Sequence, residues 1–515
     1  MKVDAILVFN FGGQYCHLIG RRVRDNGIYS EIVQSDISLE EVIELGKKYN
    51  IKGIILSGGP LSIYEKGAPT MDKRIIHSGV PILGICYGHQ ILASYLDGKV
   101  VKSEKKEYGP SYVHIDKAVG VLKGLAEKEE VWMSHGDIVL SVPKEIETLA
   151  TTDNCPVAAF MHTAQPLYGV QWHPEVIHTK NGEKLLKNFI FGVCKAESTW
   201  DAEESVTRYI EETRRIIGDD NAIIGLSGGV DSSTAAAIAA KAIGDRLTAV
   251  FVDTGLMRKR EPEKIKRMAE KLRVKFVSVD ASETFLRELK GVTDPEEKRK
   301  IIGRVFIRVF EEASKGIDAK YLIQGTIYPD RIESGESKGA SLIKSHHNVG
   351  GLPKDVKFKG IVEPLKDLYK DEVRKLALRF GMPEDMVYRQ PFPGPGLAVR
   401  IIGEVDKEKL EILRKAESIV SEEIEKDAKL RDSLWQYFAV LTGIKSIGVK
   451  GDGRAYGYVI AIRAVESKDA MTANFTRMPY GVLETMSTRL TSEIPEVVRV
   501  VYDITDKPPS TIEWE

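Results

Sequence analysis

The sequence predicts a multidomain α/β protein: two doubly wound parallel-sheet domains followed by a small α+β domain. Two series of short apolar runs alternate with helix-like segments, and the runs end in turns rich in Gly, Ser and Asn. Such alternation is typical of parallel sheets that carry helices on both faces. The length of 515 residues also suggests about three domains. We predict their bounds as 1–195, 196–390 and 391–515.

The composition excludes several classes of function. Hydrophobic residues make up 43% of the chain, and 74 basic against 75 acidic residues give a net charge of −1. Such a chain has no global attraction for nucleic acid or an anionic membrane. No run approaches the roughly 18 apolar residues of a membrane span, and the N-terminus lacks a signal-peptide pattern. The four cysteines form no CxxC pair, so we predict a cytoplasmic protein without a disulfide framework or zinc site.

The first domain opens with three apolar runs that predict buried strands, at 5–9, 53–56 and 81–85. Cys86 follows the third run in the segment 84–90 (GICYGHQ), before a helix predicted over 90–96. Small neighbours permit the sharp, strained turn of a nucleophile elbow. A helix N-terminus next to the sulfur lowers the pKa of a cysteine. Cys86 is therefore a candidate nucleophile.

A nucleophilic thiolate needs a base, and the base needs an orienting group. The segment 173–175 (HPE), after a strand predicted over 167–172, offers an imidazole and a carboxylate on the same side of an extended chain. The turn 57–60 (SGGP) offers backbone N–H groups for an oxyanion hole, joined by the N–H of Tyr87.

Together these motifs resemble the class I (triad-type) glutamine amidotransferases over about the first 195 residues. The resemblance implies that Cys86 attacks the glutamine side-chain amide, His173 protonates the departing ammonia and Glu175 orients the imidazole. It assigns no catalysis to His135, whose segment lines the glutamine pocket in the family, and His89 is interpreted as a packing variant. The implied oxyanion and glutamine contacts are Gly58, Gly59, Tyr87 and Gln90.

In the second domain, the segment 227–233 (SGGVDSS) lies between a strand predicted over 222–226 and a helix predicted over 234–242. Backbone N–H groups and the helix dipole converge on an anion at such a junction. A Walker loop would need a lysine before its final Ser/Thr, where this loop has Asp231 and Ser232. Further strands are predicted at 248–252, 274–279 and 321–324, after a helix at 202–217.

This loop resembles the pyrophosphate loop of the ATP pyrophosphatase superfamily, an adenine-nucleotide α-hydrolase-like fold. The resemblance implies that the loop holds the β and γ phosphates while the α phosphorus is attacked, and that Val252 contacts adenine. Mg²⁺ is the expected cofactor, with no prosthetic group. Asp231 either holds the metal or braces the loop. The implied ATP contacts are Ser227, Gly228, Gly229, Val230, Asp231, Ser232, Ser233 and Val252.

Four further segments extend the resemblance over essentially the whole chain, to the family of glutamine-hydrolysing GMP synthetases: 324–334, 343–353, 389–396 and 507–515. The implied substrates are ATP, XMP and glutamine, and the products are GMP, AMP and pyrophosphate. The polar, Gly-rich segment 334–342 is interpreted as a lid over ATP. The basic residues on its C-terminal side either neutralise phosphate charge or form a solvated loop, and Asp330 and Glu333 are implied to couple ATP binding to the glutaminase. The basic residues are Lys344, His346 and His347.

The third domain is predicted to hold a helix over 407–427 and strands over 457–464 and 497–504. The resemblance implies a homodimer through this domain, with Arg499 reaching the partner's site; otherwise Arg499 is a surface residue of an edge strand. Two prolines, Ile512 and Trp514 favour a docked tail over a frayed one. The implied XMP contacts are Arg304, Gln436 (expected on a helix), Arg499, Lys507, Thr511, Ile512 and Glu513.

Two other interpretations predict different features. An NAD synthetase has the same kind of phosphate loop but a nitrilase-type glutaminase, which the Cys86 motif disfavours. A binding protein on an inactive amidotransferase would have lost Cys86, His173 or the loop 227–233, and all are present.

Overall fold

The computed structural model describes five stretches of the chain: 2–203, 205–333, 358–451, 453–467 and 472–515. The chain divides into two compact units. Unit 1 is Met1–Asp201 and unit 2 is Ala202–Glu515. Among the described residues, no helix is both long and apolar enough to cross a bilayer.

Unit 1 is organised around a nine-stranded sheet with four α-helices in its described part. The strands are β1 (Asp4–Asn10), β2 (Tyr29–Gln34), β3 (Asn50–Leu56), β4 (Ile82–Ile85), β5 (Lys99–Ile115), β6 (Lys128–Ser141), β7 (Ile146–Thr151), β8 (Ala159–His162) and β9 (Leu167–Val170). The helices are α1 (Cys16–Asp25), α2 (Leu39–Lys48), α3 (Tyr87–Tyr95) and α4 (Gly182–Lys187).

The strand order is β2-β1-β3-β4-β9-β8-β7-β5-β6. The first five strands pair in parallel, which confirms the predicted parallel sheet. The other four extend it in antiparallel register. The parallel strands are apolar runs because both faces are buried, whereas β6 alternates buried and partly exposed positions. The antiparallel strands therefore lack the continuous apolar runs from which the parallel strands were predicted.

The described residues of unit 2 form two sheets. The strands are β10 (Ala222–Gly225), β11 (Leu247–Asp253), β12 (Lys275–Asp280), β13 (Tyr321–Ile323), β14 (Gly360–Val362), β15 (Gln436–Lys450), β16 (Gly453–Glu466), β17 (Asn474–Phe475) and β18 (Val497–Tyr502). The helices are α5 (Val206–Ile217), α6 (Val230–Ile243), α7 (Glu261–Leu272), α8 (Ser282–Leu289), α9 (Pro295–Lys315), α10 (Tyr328–Glu333), α11 (Lys370–Arg379), α12 (Glu384–Val387), α13 (Lys407–Glu425), α14 (Ala428–Ser433) and α15 (Tyr480–Glu493).

The sheet that carries the phosphate loop has the order β12-β11-β10-β13-β14, and every pairing in it is parallel. The second doubly wound domain is thereby confirmed. In the other sheet, β16 pairs antiparallel with β15 and β17 and in parallel with β18. The expectation that Gln436 lies on a helix is wrong, because it begins β15. Its buried position on an apolar strand explains the difference.

Candidate active sites

Cys86 lies at the junction of β4 and α3 in the strained geometry of an elbow. Its φ is 53° and its ψ is −105°, a conformation that persists in a non-glycine residue only where the surroundings impose it. The flanking glycines leave no room for side chains. A Cβ on Gly84 would lie 2.4 Å from the Gly88 oxygen, and one on Gly88 would lie 2.3 Å from the Leu56 oxygen. Helix α3 begins at Tyr87, earlier than predicted, so Cys86 caps it.

His173 and Glu175 are buried beside the elbow. His173 Nδ1 lies 2.7 Å from Glu175 Oε1. A Cβ on Gly58 would lie 3.1 Å from His173 Cε1 and 3.7 Å from Cys86 Cβ, so the SGGP turn faces both residues. Burial alone would lower the pKa of His173, but the Glu175 carboxylate and Cys86 together raise it well above its ordinary value of 6.5. The imidazole is therefore suited to hold a proton beside the sulfur.

The predicted glutamine contact Gln90 reaches the elbow through a residue that sequence reasoning missed. Gln90 Nε2 donates to Gln171 Oε1 at 3.2 Å and to the Asp137 carbonyl at 2.9 Å. Gln171 Nε2 in turn lies 3.8 Å from Cys86 Sγ, which donates to the Ser134 carbonyl at 3.6 Å. The sequence feature that could have indicated Gln171 is its polar side chain inside the apolar run 167–172.

Three other missed residues hold the base in place. The Tyr15 ring meets the His173 ring edge-on, with 5.2 Å between centroids. Thr179 Oγ1 donates to the His173 carbonyl at 2.6 Å, and Arg22 Nε donates to the Glu175 carbonyl at 3.0 Å. Tyr15 and Arg22 belong to the N-cap and body of α1, far from the HPE motif in sequence, and Thr179 follows the motif, so the motif alone could not reveal them.

The other two histidines of the motifs are buried away from the dyad. His89 Nε2 lies 3.0 Å from the Val157 carbonyl, and burial lowers the pKa of His89 to about 3. His135 Nδ1 lies 3.0 Å from the Asp137 carbonyl, and its Nε2 lies 3.0 Å from Glu107 Oε2. Both rings thus have structural contacts.

The loop 227–233 joins β10 to α6, which begins at Val230 with Gly229 as its N-cap. The helix therefore starts inside the loop, earlier than the predicted 234, and its N-terminal amides point into the loop. Ser233 Oγ donates to the Gly229 carbonyl at 2.7 Å, and the hydroxyls of Ser227 and Ser232 lie 3.0 Å apart. The loop is thus fixed by hydrogen bonds of its own hydroxyls at a helix N-terminus, a position that favours an anion.

Asp231 has one paired and one unpaired oxygen. Its Oδ2 accepts from Lys370 Nζ, a residue at the start of α11 that sequence reasoning missed. Its Oδ1 is buried and has no hydrogen-bond partner among the residues that the structure describes. The described residues hold no group of three candidate metal ligands. A single carboxylate still fits Mg²⁺, because nucleotide-bound Mg²⁺ takes its other ligands from phosphates and water.

The predicted lid falls mostly outside the described residues, including Lys344, His346 and His347. Asp330 lies on α10, where its Oδ2 accepts from the backbone N–H of Ile327 at 3.2 Å. Glu333 is the last residue of that helix. Val252 is buried on β11.

The C-terminal tail is docked on unit 2. Glu513 accepts from Arg400 Nη2 at 2.8 Å and from Gln436 Nε2 at 2.7 Å. Arg463, fully buried on β16, donates to the Thr511 carbonyl at 3.0 Å, and Ile512 is buried. Four of the predicted XMP contacts thus lie on or against one anchored segment.

The three remaining predicted contacts lie elsewhere in unit 2. Lys507 pairs through its backbone with Ala473, and its N–H donates to the Ala473 carbonyl at 2.7 Å. Arg304, on α9, lies 3.8 Å from Glu288 and is largely exposed. Arg499, on β18, donates from Nε to Ser446 Oγ at 3.2 Å.

Three family models match the chain. "Glutamine amidotransferase class-I" matches residues 7–193, "NAD synthase" matches 201–303 and "GMP synthase C terminal domain" matches 422–514. The second match lies on the phosphate-loop sheet, and the third on the C-terminal sheet and tail.

Several relatives align with the whole chain over their own full length. Proteins named GMP synthase (glutamine-hydrolyzing) from Aquifex aeolicus, Caldicellulosiruptor saccharolyticus and Caldanaerobacter subterraneus are 53%, 52% and 51% identical to this chain. Each alignment covers 100% of this chain and 100% of the relative.

Proposed function

The chain belongs to the glutamine-hydrolysing GMP synthase family, and from that premise we propose how its residues divide the reaction. It is an ATP-dependent ligase that aminates XMP to GMP with glutamine as the nitrogen donor. The amidotransferase domain (1–195) releases ammonia, the synthetase domain (196–390) activates XMP with ATP, and the C-terminal domain (391–515) completes the XMP site. The observation that carries this assignment is the strained Cys86 beside the buried His173–Glu175 pair.

In the amidotransferase domain, His173 takes the thiol proton of Cys86, whose Sγ attacks the side-chain amide carbon of glutamine, and a thioester forms as the C–N bond breaks. The charge on the amide oxygen is stabilised by backbone N–H groups of Gly58, Gly59 and Tyr87. His173 gives its proton to the departing ammonia while Glu175 stabilises the imidazolium. Water then hydrolyses the thioester and releases glutamate.

In the synthetase domain, the loop 227–233 holds the β and γ phosphates while O2 of xanthine attacks the α phosphorus. Pyrophosphate leaves into the loop, and ammonia then attacks C2 and expels AMP. Mg²⁺ would neutralise the triphosphate, and the unpaired Oδ1 supports Asp231 as its carboxylate ligand. Val252 would contact adenine, and the lid residues Asp330, Glu333, Lys344, His346 and His347 would close over ATP.

XMP would be held by the docked tail and by Arg304 and Arg499. Arg400 donates to Glu513, and Arg463 donates to the Thr511 carbonyl, so the tail is held in place. The fixed position of Ile512 and Glu513 supports a preformed XMP site. Lys507 supplies a cation for the phosphate. The full proposed set is Arg304, Gln436, Arg499, Lys507, Thr511, Ile512 and Glu513.

The function is tested by pyrophosphate release from ATP with Mg²⁺, glutamine and XMP, alongside the fall in XMP absorbance. Both signals should require XMP. Release that depends on nicotinic acid adenine dinucleotide in place of XMP would favour the NAD synthetase alternative and contradict the proposal.

Glutamine hydrolysis should fail on the alkaline side as His173 loses its proton. The pKa of His173 is raised by Glu175 and Cys86, so the protonated form persists above pH 6.5 and disappears as the pH passes the raised value. Glu175→Gln removes the carboxylate and should shift this alkaline limb to lower pH. Glutamate release across neutral and alkaline pH measures the shift. An unmoved limb would contradict the role of Glu175, and ammonia-driven synthesis is the control.

We also propose a homodimer through the C-terminal sheet. Ile447, Val449 and Tyr456 are all exposed there, on one face of the β15–β16 ladder, where Ile447 pairs with Tyr456. A contiguous exposed apolar face marks an interaction surface. Sedimentation should give twice the 57.3 kDa chain mass, and Ile447→Asp with Val449→Asp should give one chain. The exposed Ile43→Asp is the matched control; a wild-type mass of one chain would refute the dimer.

A further inference from the structure

A buried carboxylate faces the phosphate loop. Glu261 is the first residue of α7, and its side chain is only 5% exposed. A Cβ on Gly228 would lie 3.1 Å from Glu261 Oε1 and 2.9 Å from Ile265 Cδ1. An unneutralised negative charge this close to bound phosphates would repel them strongly, because little water is present to screen it.

Arg389 neutralises that carboxylate. Its two terminal nitrogens donate one to each oxygen of Glu261, in a bidentate pair. The geometry is the strongest form of a carboxylate–guanidinium contact, and it fixes both side chains as well as compensating the charge.

The residues after Arg389 contact the groups that hold the tail. Gln390 Oε1 accepts from the Tyr437 N–H at 2.8 Å, and the Pro391 carbonyl accepts from Gln436 Nε2 at 3.3 Å. The same Gln436 nitrogen donates to Glu513 at 2.7 Å. A single short segment thus connects the phosphate loop with the proposed XMP site.

We propose that Arg389 is a positioning residue for ATP: it cancels the charge of Glu261 beside Gly228 and fixes the loop relative to the tail. The proposal rests on the proposed function of loop 227–233 as the triphosphate site. It predicts an asymmetry between the two partners. Removing the cation leaves a negative charge against the phosphates, whereas removing the carboxylate leaves a positive one.

The test measures the KM for ATP and for XMP in ammonia-driven synthesis. Arg389→Met should raise the KM for ATP about tenfold or more, which is about 1.4 kcal/mol or more. Adding Glu261→Gln should restore most of that loss, and Glu261→Gln alone should leave the KM for ATP unchanged or lower. Arg389→Lys keeps the charge but loses the bidentate contact, so its KM for ATP should lie between those of wild type and Arg389→Met. This variant keeps the test valid if Arg389→Met folds poorly.

The exposed Arg74–Glu40 pair of unit 1 offers a matched control. Arg74→Met, with and without Glu40→Gln, should leave both KM values unchanged. A merely structural pair predicts that Arg389→Met and Glu261→Gln each raise the KM for ATP and the KM for XMP to a similar extent; that result would overturn the proposal. Absence of XMP-dependent pyrophosphate release by the wild-type chain would instead refute the proposed function itself.

Discussion

Cys86→Ala should abolish GMP formation from glutamine and leave synthesis from ammonia at the wild-type rate. The substitution removes the only atom that attacks the amide, so glutamine-driven turnover should fall by about 10³-fold or more. The backbone at position 86 has a positive φ, and this conformation costs alanine about as much as it costs cysteine. The substitution therefore adds no strain to the elbow. Loop 227–233 does not contain Cys86, so the adenylation chemistry is unaffected.

The measurement is GMP formed with either nitrogen source, together with glutamate released. Cys155→Ala is the matched control, because Cys155 is a buried free cysteine of the same unit whose pKa burial raises to about 12. It should retain both activities. Loss of the ammonia-driven reaction in Cys86→Ala would show that the proposed division of labour is wrong.

The parallel strands and the two loops were predictable because their signals are local. A strand buried on both faces is a continuous apolar run, and a nucleophile elbow or phosphate loop is a short Gly-rich segment after it. The starts of α3 and α6 were missed for a related reason. Their first turns contain Gly88 and Asp231–Ser233, residues of low helix propensity, although α3 begins at Tyr87 and α6 at Val230.

The supporting residues could not be predicted because their partners are far apart in sequence. Lys370 pairs with Asp231 across 139 residues, and Arg389 pairs with Glu261 across 128. No composition or periodicity encodes such a pair. The tail was predictable as a docked segment from its prolines and Ile512, but the arginines that hold it were not. Arg463 lies within β16, and Arg400 ends the short 3₁₀ helix Gly396–Arg400 that precedes α13.

Arg400→Met should have the largest effect on stability. Arg400 is fully buried and donates to Glu417 at 2.9 Å and to Glu513 at 2.8 Å. Removing the cation leaves Glu513 without its cationic partner and Glu417 with Arg258 as its remaining one. Losing one partner of a buried pair costs about 3–5 kcal/mol. Methionine occupies similar volume, so the loss is electrostatic rather than a cavity.

The same change should weaken XMP binding, because Glu513 loses the contact that orders the tail. Urea unfolding should show a lower midpoint for unit 2, and the KM for XMP should rise while glutamine hydrolysis by unit 1 persists. Arg431→Met removes an exposed arginine paired with Asp432 and should leave both the unfolding midpoint and the KM for XMP unchanged. An unchanged midpoint in Arg400→Met would mean that the buried network tolerates an uncompensated charge, and an unchanged KM for XMP would mean that the tail is ordered by Arg463 alone.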